Sequence, residues 1–259
     1  MTADRYAGAA AGWASGAARV YGPLADELVD CAPHPLADRT VLDVGAGTGL
    51  GSAALAARGA RVVALDFSLD MLRWGRHGRP PAAVGDVMRL PVRDAAVDDV
   101  LAAFVLNHLV DPDAAFAELR RVTRPGGALL ASVFAATNQS PARDLVDQVA
   151  LDCGFTVPEW YRRLKELATP RLGSPTAMRA AARATGLVSV AVEVRCVDVG
   201  VRAPAELVDY RFGQAQYSAW LAELGGARRA EVRASAIERL GALTEPYRPS
   251  VVLLSARVA

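Results

Sequence analysis

TVLDVGAGTGLGSAALAARG, residues 40–59, runs a short apolar strand into four glycines at alternate positions and then into an alanine-rich helix. Such a turn lets a ligand approach bare backbone. A dinucleotide fingerprint, G-x-G-x-x-G, asks for its third glycine at position 50 or 52, which here hold Leu50 and Ser52. No Gly-Lys-Ser/Thr follows, so the phosphate-binding P-loop fails as well. What remains is G-x-G-x-G (Gly45, Gly47, Gly49, with Ala46 inside it) and Asp43 two residues before. A carboxylate there repels a pyrophosphate and suits a ligand that is positive at that end. Alone, the motif also fits a glycine-rich turn that holds nothing.

Outward from the loop, strand-like and helix-like segments alternate. RTVLDV, ARVVALDF, PAAVGDV, VDDVLAAFVL and GALLASVFA read as five strands. Leu50–Arg58, Leu69 to about Gly75 and DPDAAFAELRRVTRPGG read as the helices between them, the last stopped by Pro125-Gly126-Gly127. Near-continuous apolar strands alternating with helices predict an α/β fold, a parallel sheet covered on both faces. Beyond Ala136 come two or three helical segments between Pro141 and Ala184, then LVSVAVEVRCVDVG, a helical stretch from Ala205 to Leu243, and a final strand SVVLLSARVA.

The chain has 259 residues, 52% of them hydrophobic, which suits one domain with a sizeable core. A net charge of +1 offers no attraction to a polyanion, and Lys165 is the single lysine. Cys31, Cys153 and Cys196 form no CxxC pair, which predicts reduced thiols in a cytoplasmic protein. The N-terminal MTADRYAGAAAGWASG has no long apolar run, so neither signal peptide nor membrane span is expected.

Two further carboxylates narrow the ligand. Asp66 ends the second strand, about 20 residues past the loop, where an acid accepts hydrogen bonds from a ribose diol. Asp86, in GDVMRLP after the third strand, sits where it can accept from an exocyclic amine. Asp43, Asp66 and Asp86 thus share the carboxyl rim of three strands, where open α/β sheets bind ligands. With the glycine loop they describe an adenosine carrying a cationic or zwitterionic tail.

Over Thr40–Phe134 the sequence resembles the class I S-adenosylmethionine-dependent methyltransferases of the small-molecule, type-11-like branch. VLDVGAGTGLG, VVALDFSLDML, GDVMRLPVRDAAVDDVLAAFVLNHLVDP and LRRVTRPGGALLASVF carry the resemblance, in order. It implies a doubly wound, seven-stranded, mostly parallel Rossmann-like sheet with its last strand antiparallel, and helical cap insertions. Residues 1–259 would be one domain: an N-terminal helical lid over 1–39, a cofactor-binding core over 40–136, a helical insertion over 137–186, and strands six and seven in 187–259 with a helical cap over 203–243. S-adenosyl-L-methionine would be the cofactor and S-adenosyl-L-homocysteine its product. The backbone of Gly45–Gly49 would lie against the methionine part and Asp66 would hold the ribose. Phe67 and Met71 would pack near the adenine, Asp86 and Val87 would meet its edge, and Phe104 and Val105 would approach the sulfonium. Tyr21 is the lid residue placed nearest the cofactor.

Methyl transfer from a sulfonium mainly asks that the nucleophile be held in line, dry and deprotonated. His108, just after the fourth strand, is the candidate general base, with an ordinary pKa near 6.5 that suits neutral pH. Asn107 beside it is a candidate for orienting substrate. His34, in a proline-flanked loop, and His77, in an Arg-rich loop, read as surface residues, and Trp13 as a helix-packing anchor. No helical His pair occurs, and Asp111-Pro-Asp113 reads as a helix start, so no metal is expected. Aromatics gathered on the insertions suit an aromatic or apolar small-molecule acceptor with an O or N nucleophile. Trp160, Tyr210, Arg211, Gln214 and Tyr217 are the candidates to touch it, Arg211 gripping a carboxylate if the acceptor carries one. Neither nucleic acid nor membrane is expected as a partner, and the chain is expected to be a monomer or homodimer. The alternative is a protein of this fold that has lost methyl transfer and works as a cyclase, a pericyclase or a ligand-binding protein.

Overall fold

Alternation along each central strand sends successive side chains to opposite faces. In β1 (Thr40–Val44) Val41 packs on one side and Leu42 and Val44 on the other. In β4 (Asp99–Ala103) and β5 (Ala128–Phe134), Leu101 and Leu130 join Val41, while Val100, Ala102, Leu129 and Ala131 join Leu42. Both faces are buried, which explains the apolar runs. In this computed structural model, residues 5–109 and 111–259 are described, except for the side chain of Ala168. Residues 1–4 of the expected lid, and Val110, lie outside the described residues.

Among the described residues β1, β4 and β5 are joined by β2 (Arg61–Asp66), β3 (Ala82–Val84), β6 (Leu187–Cys196) and β7 (Ser250–Val258). The seven strands run in the order β3-β2-β1-β4-β5-β7-β6. All pairs are parallel except those of β7, which is antiparallel to both β5 and β6. The sheet is the doubly wound, mostly parallel one expected. Strand order reverses between β1 and β4, which opens a crevice above their carboxyl ends.

Helices α1 (Ala18–Val29) and α2 (Leu50–Ala57) cover one face through Val20, Leu24, Leu28 and Leu55. After α3 (Leu69–Arg73), α4 (Pro112–Val122) covers the other face through Phe116, Leu119 and Val122. Asp111 caps α4, accepting from the backbone N–H of Asp113 and Ala114, so Asp111-Pro-Asp113 is a helix start. Between β5 and β6 come α5 (Pro141–Asp152), α6 (Glu159–Leu172) and α7 (Pro175–Ala184), and α7 lays Met178 and Ala182 into the core. The helical stretch before β7 divides into α8 (Pro204–Phe212), α9 (Ala215–Glu223) and α10 (Gly226–Leu240).

The N-terminal helical segment meets α8 by close backbone packing. A Cβ on Gly16 would stand 2.0 Å from the carbonyl oxygen of Asp209, and one on Gly213 would stand 2.5 Å from that of Gly12. Gly12 and Gly16, four residues apart, share one helix face, so these glycines serve helix–helix approach as well as flexibility. Among the described residues no helix is long and apolar enough to cross a membrane.

His34 departs from the surface position expected of it. Its Nε2 lies 2.9 Å from Oδ1 of the buried Asp99, and its side chain is 17% exposed. Asp99 also accepts from Arg39 Nε at 2.5 Å and from the Ala128 N–H at 2.7 Å. Burial works against its charge, yet these three donors together hold its pKa below the usual carboxylate value. Nothing local in APHPL announces a partner 65 residues away. His77 is exposed, as expected.

Candidate functional site

Gly45, Gly47 and Gly49 take φ values of +67°, +54° and +103° between β1 and α2. Gly45 matters most. A Cβ there would stand 2.2 Å from Val105 Cγ2, so the loop and the end of β4 interlock. The next residue back, Phe104, holds φ at +56° with its N–H bonded to Ser132 O at 3.0 Å. A bulky side chain in that region is strained, and such strain collects at functional sites.

A 430 Å³ cavity opens over this interlock. Its floor is the glycine loop with Asp43, its sides are Asp66, Phe67, Met71, Asp86 and Val87 on one flank and Phe104, Val105 and His108 on the other, and its roof is Tyr6, Trp13 and Tyr21. Twelve of the thirteen residues expected at the cofactor line this cavity; the thirteenth, Gly49, caps the start of α2 and is not in its lining. Asp66 accepts from the Gly47 N–H at Oδ2 and from the Ser68 N–H at Oδ1, each at 2.7 Å. Phe67 is 41% exposed, an aromatic face beside the crevice. Asp86 is exposed, and its Oδ1 accepts from the Met88 N–H at 2.9 Å.

Asp43 is buried, with Ser52 Oγ donating to its Oδ2 at 2.6 Å. Burial pushes its pKa up to about 7, aided by the neighbouring Asp66, while Ser52 and Arg79 pull the other way. Arg79 was not singled out in the sequence. Its Nη1 donates to the carbonyls of Gly47 (3.2 Å), Met71 (3.3 Å) and Leu72 (2.9 Å), so it ties the glycine loop to the end of α3.

His108 ends a 3₁₀ turn, Leu106–His108, and is half-buried. Its Nε2 lies 3.3 Å from Tyr6 Oη. Desolvation, reinforced by the positive charges of Lys165 and Arg5, lowers its pKa to about 4. The expectation of an imidazole poised near neutrality is thereby corrected: His108 is a neutral group through the physiological range. Trp13 is also more than a packing anchor. It stacks on Tyr21 with centroids 4.6 Å apart and lines the cavity.

Tyr21 packs edge-on to Phe104 (5.1 Å) and Phe134 (5.8 Å), and those two rings lie 4.8 Å apart. This aromatic partition separates the first cavity from a second, of 390 Å³, at the carboxyl end of β5. Asn107, Tyr210 and Arg211 line the second cavity, together with Tyr161, Arg143, Asp147 and Lys165. Gln214 and Tyr217 are buried behind it. Trp160 lines neither cavity. It packs beneath the Arg5 guanidinium, 5.7 Å from the ring centre, and its neighbour Tyr161 takes the place expected for it.

Arg211 is not open to a carboxylate from outside, because it already grips one. Its Nε and Nη2 meet the two oxygens of Asp147 at 2.8 and 2.6 Å, and Nη1 donates to Gln214. Tyr217 Oη donates to the same Asp147 at 2.7 Å. A fork of this kind is a strong, directional pair that joins α5 to α8 and α9.

Residues 42–131 match a family model described as a methyltransferase domain. The demethylmenaquinone methyltransferase of Streptomyces avermitilis is 39% identical over 127 residues, 48% of this chain and 53% of that protein. The chain thus spans about half the length of the curated relatives it matches. Among solved structures, a putative methyltransferase from an antibiotic biosynthesis pathway of Anabaena variabilis superposes with a TM-score of 0.58 at 18% identity, covering 89% of this chain and 95% of the other. The (4+2) cyclase SpnF superposes with a TM-score of 0.55 at 19% identity, covering 91% and 80%. At these identities the structural likenesses establish the fold, which hosts both activities.

Proposed function

We propose that the chain, whose residues 42–131 match a methyltransferase-domain model, is a class I S-adenosylmethionine-dependent methyltransferase that moves a methyl group from S-adenosyl-L-methionine to an O or N nucleophile of a small aromatic or apolar acceptor. The observation that carries this reading is the first cavity: an interlocked glycine loop with Asp43 beneath it, Asp66 at the end of β2, and Asp86 and Phe67 on the rim. That set fits a nucleoside with a cationic tail. Asp66 would hold the ribose diol, Phe67 and Met71 would flank the base, and Asp43 would favour the positive end. When bound, S-adenosyl-L-methionine supplies an electrophilic methyl group on a sulfonium. The chain's own part is positioning and drying: Tyr21, Trp13 and Tyr6 roof the cavity, and His108 offers a neutral imidazole that can take a proton.

The test is calorimetry with S-adenosyl-L-methionine and S-adenosyl-L-homocysteine. Both should bind in the micromolar range, on the order of 8 kcal/mol. Asp66→Ala should weaken binding by about 1.5–3 kcal/mol, since a charged acceptor of several hydrogen bonds is lost. No heat with either ligand, or tighter binding of a nicotinamide dinucleotide, would refute the assignment. Release of label from methyl-labelled cofactor separates methyl transfer from a cyclase that keeps the cofactor.

Asp43 adds a pH dependence. At pH 7 the empty site holds it about half protonated, and a cation beside it favours the carboxylate. Binding at pH 7 should therefore expel up to about half a proton, and affinity should rise as the pH climbs toward about 7 and level off above it. Calorimetry in buffers of different ionisation heat counts that proton. Asp43→Asn should abolish it, and an unchanged pH slope in that variant would exclude Asp43 as its source.

A further inference from the structure

We propose that the second cavity holds an oxyanion of the methyl acceptor, so that the acceptor is a small molecule bearing a carboxylate or a phosphate; this rests on the methyl-transfer reading above. Three cations line the cavity, Arg143, Lys165 and Arg211, against one carboxylate, Asp147. Arg211 and Asp147 satisfy each other in the bidentate pair. The remaining positive charge belongs to Arg143 and Lys165. Arg143 is 18% exposed, and only its Nη2 is engaged, by the Asn138 carbonyl at 3.1 Å and by the exposed Asp144 at 3.3 Å. Its Nε and Nη1 make no hydrogen bond among the described residues, although a guanidinium presents five donors. Lys165 has no acidic partner there either, and sits 5.5 Å from the Tyr161 ring.

A second observation points to a ligand from the other side. Asn107 Oδ1, which also lines this cavity, is buried without a hydrogen-bond partner. A buried acceptor left unmade is costly, and one facing a cavity wants a donor from whatever fills it. The walls between these polar groups are Phe134, Tyr161 and Tyr210, which suit a flat apolar body. The cavity thus fits a ring whose oxyanion meets Arg143 and Lys165 and whose hydroxyl or amine donates to Asn107. It lies behind the partition formed by Tyr21, Phe104 and Phe134, next to the first cavity. Sequence reading gave the carboxylate-gripping role to Arg211. The structure moves it to Arg143, because Asp147 occupies the Arg211 fork.

The probes are benzoate and phenyl phosphate, with benzamide as the neutral isostere, titrated by calorimetry with and without saturating S-adenosyl-L-homocysteine. At least one anion should bind about tenfold or more tightly than benzamide, and Arg143→Met and Lys165→Met should each cut that preference about threefold or more. Preference for benzoate marks a carboxylate, and preference for phenyl phosphate marks a phosphate. Lys165 is exposed, so its variant tests the charge even if Arg143→Met unfolds. Benzamide binding as well as both anions, no binding of either anion, or a preference that survives both substitutions would overturn the proposal. Normal S-adenosyl-L-homocysteine binding alongside any of these failures leaves the cofactor reading standing. Its absence, with the anion preference intact, overturns that reading and leaves the cavity an oxyanion site without methyl transfer.

Discussion

Gly45→Ala should lower affinity for S-adenosyl-L-methionine and S-adenosyl-L-homocysteine by at least about 100-fold, near 3 kcal/mol. Two costs add. A non-glycine residue at φ +67° costs about 1–2 kcal/mol. The new Cβ then meets Val105 Cγ2 at 2.2 Å and its Cβ at 3.3 Å, and overpacking of this kind costs typically about 1–3 kcal/mol. Val105 has little freedom to yield, since it is β-branched and follows the strained Phe104, whose N–H is pinned to Ser132. The loop must move instead, and it moves out of line with Asp66, whose Oδ2 holds the Gly47 N–H. A double variant, Gly45→Ala with Val105→Ala, should regain part of the affinity by removing the clash and leaving only the backbone cost. Near-normal binding by the single variant would show that the ligand does not depend on this interlock.

His108→Ala should cut turnover by about 100-fold, the lower end of general-base effects, with S-adenosyl-L-homocysteine affinity held within about threefold. The low end follows from the depressed pKa, because a base of pKa about 4 accepts a proton less readily than one near neutrality. The same depression sets the pH profile. The proton-accepting imidazole is present at every pH well above 4, so this residue should give no limb between about pH 6 and 9. Turnover falls through its protonation only as pH approaches 4. A limb near 6.5 that disappears in the variant would place its pKa wrongly here. Near-normal turnover in His108→Ala would leave catalysis to positioning alone.

The lining of the first cavity was legible because its determinants are local. The glycines, Asp43 and the ends of β2 and β3 announce themselves within a few residues of a strand end, and strand alternation then places all of them on one rim. The second cavity was not, because its chemistry is decided by partners far apart in the chain. Arg211 and Asp147 are 64 residues apart, and Tyr6 and His108 are 102 apart. No local pattern says that the Arg211 fork is filled or that His108 is roofed by a tyrosine. Trp160 and Tyr161 show how fine the distinction is, since one helical step decides which faces the second cavity. Gly12 and Gly16 carried a usable signal: their spacing of four marks one helix face, which is a contact stripe as well as a softening of the helix.

Lys165 stands at the edge of the second cavity and is the chain's single lysine. The protein therefore carries one ε-amine, which makes it a chemical handle that needs no mutagenesis. Reductive methylation with ¹³C-formaldehyde keeps the positive charge and plants a dimethylamine resonance on Lys165 beside Tyr161, whose ring current separates it from the resonance of the methylated α-amine. The occupancy proposed for the second cavity can then be read from the Lys165 NMR line, which should move when an anion enters and stay still when the neighbouring cavity alone is filled.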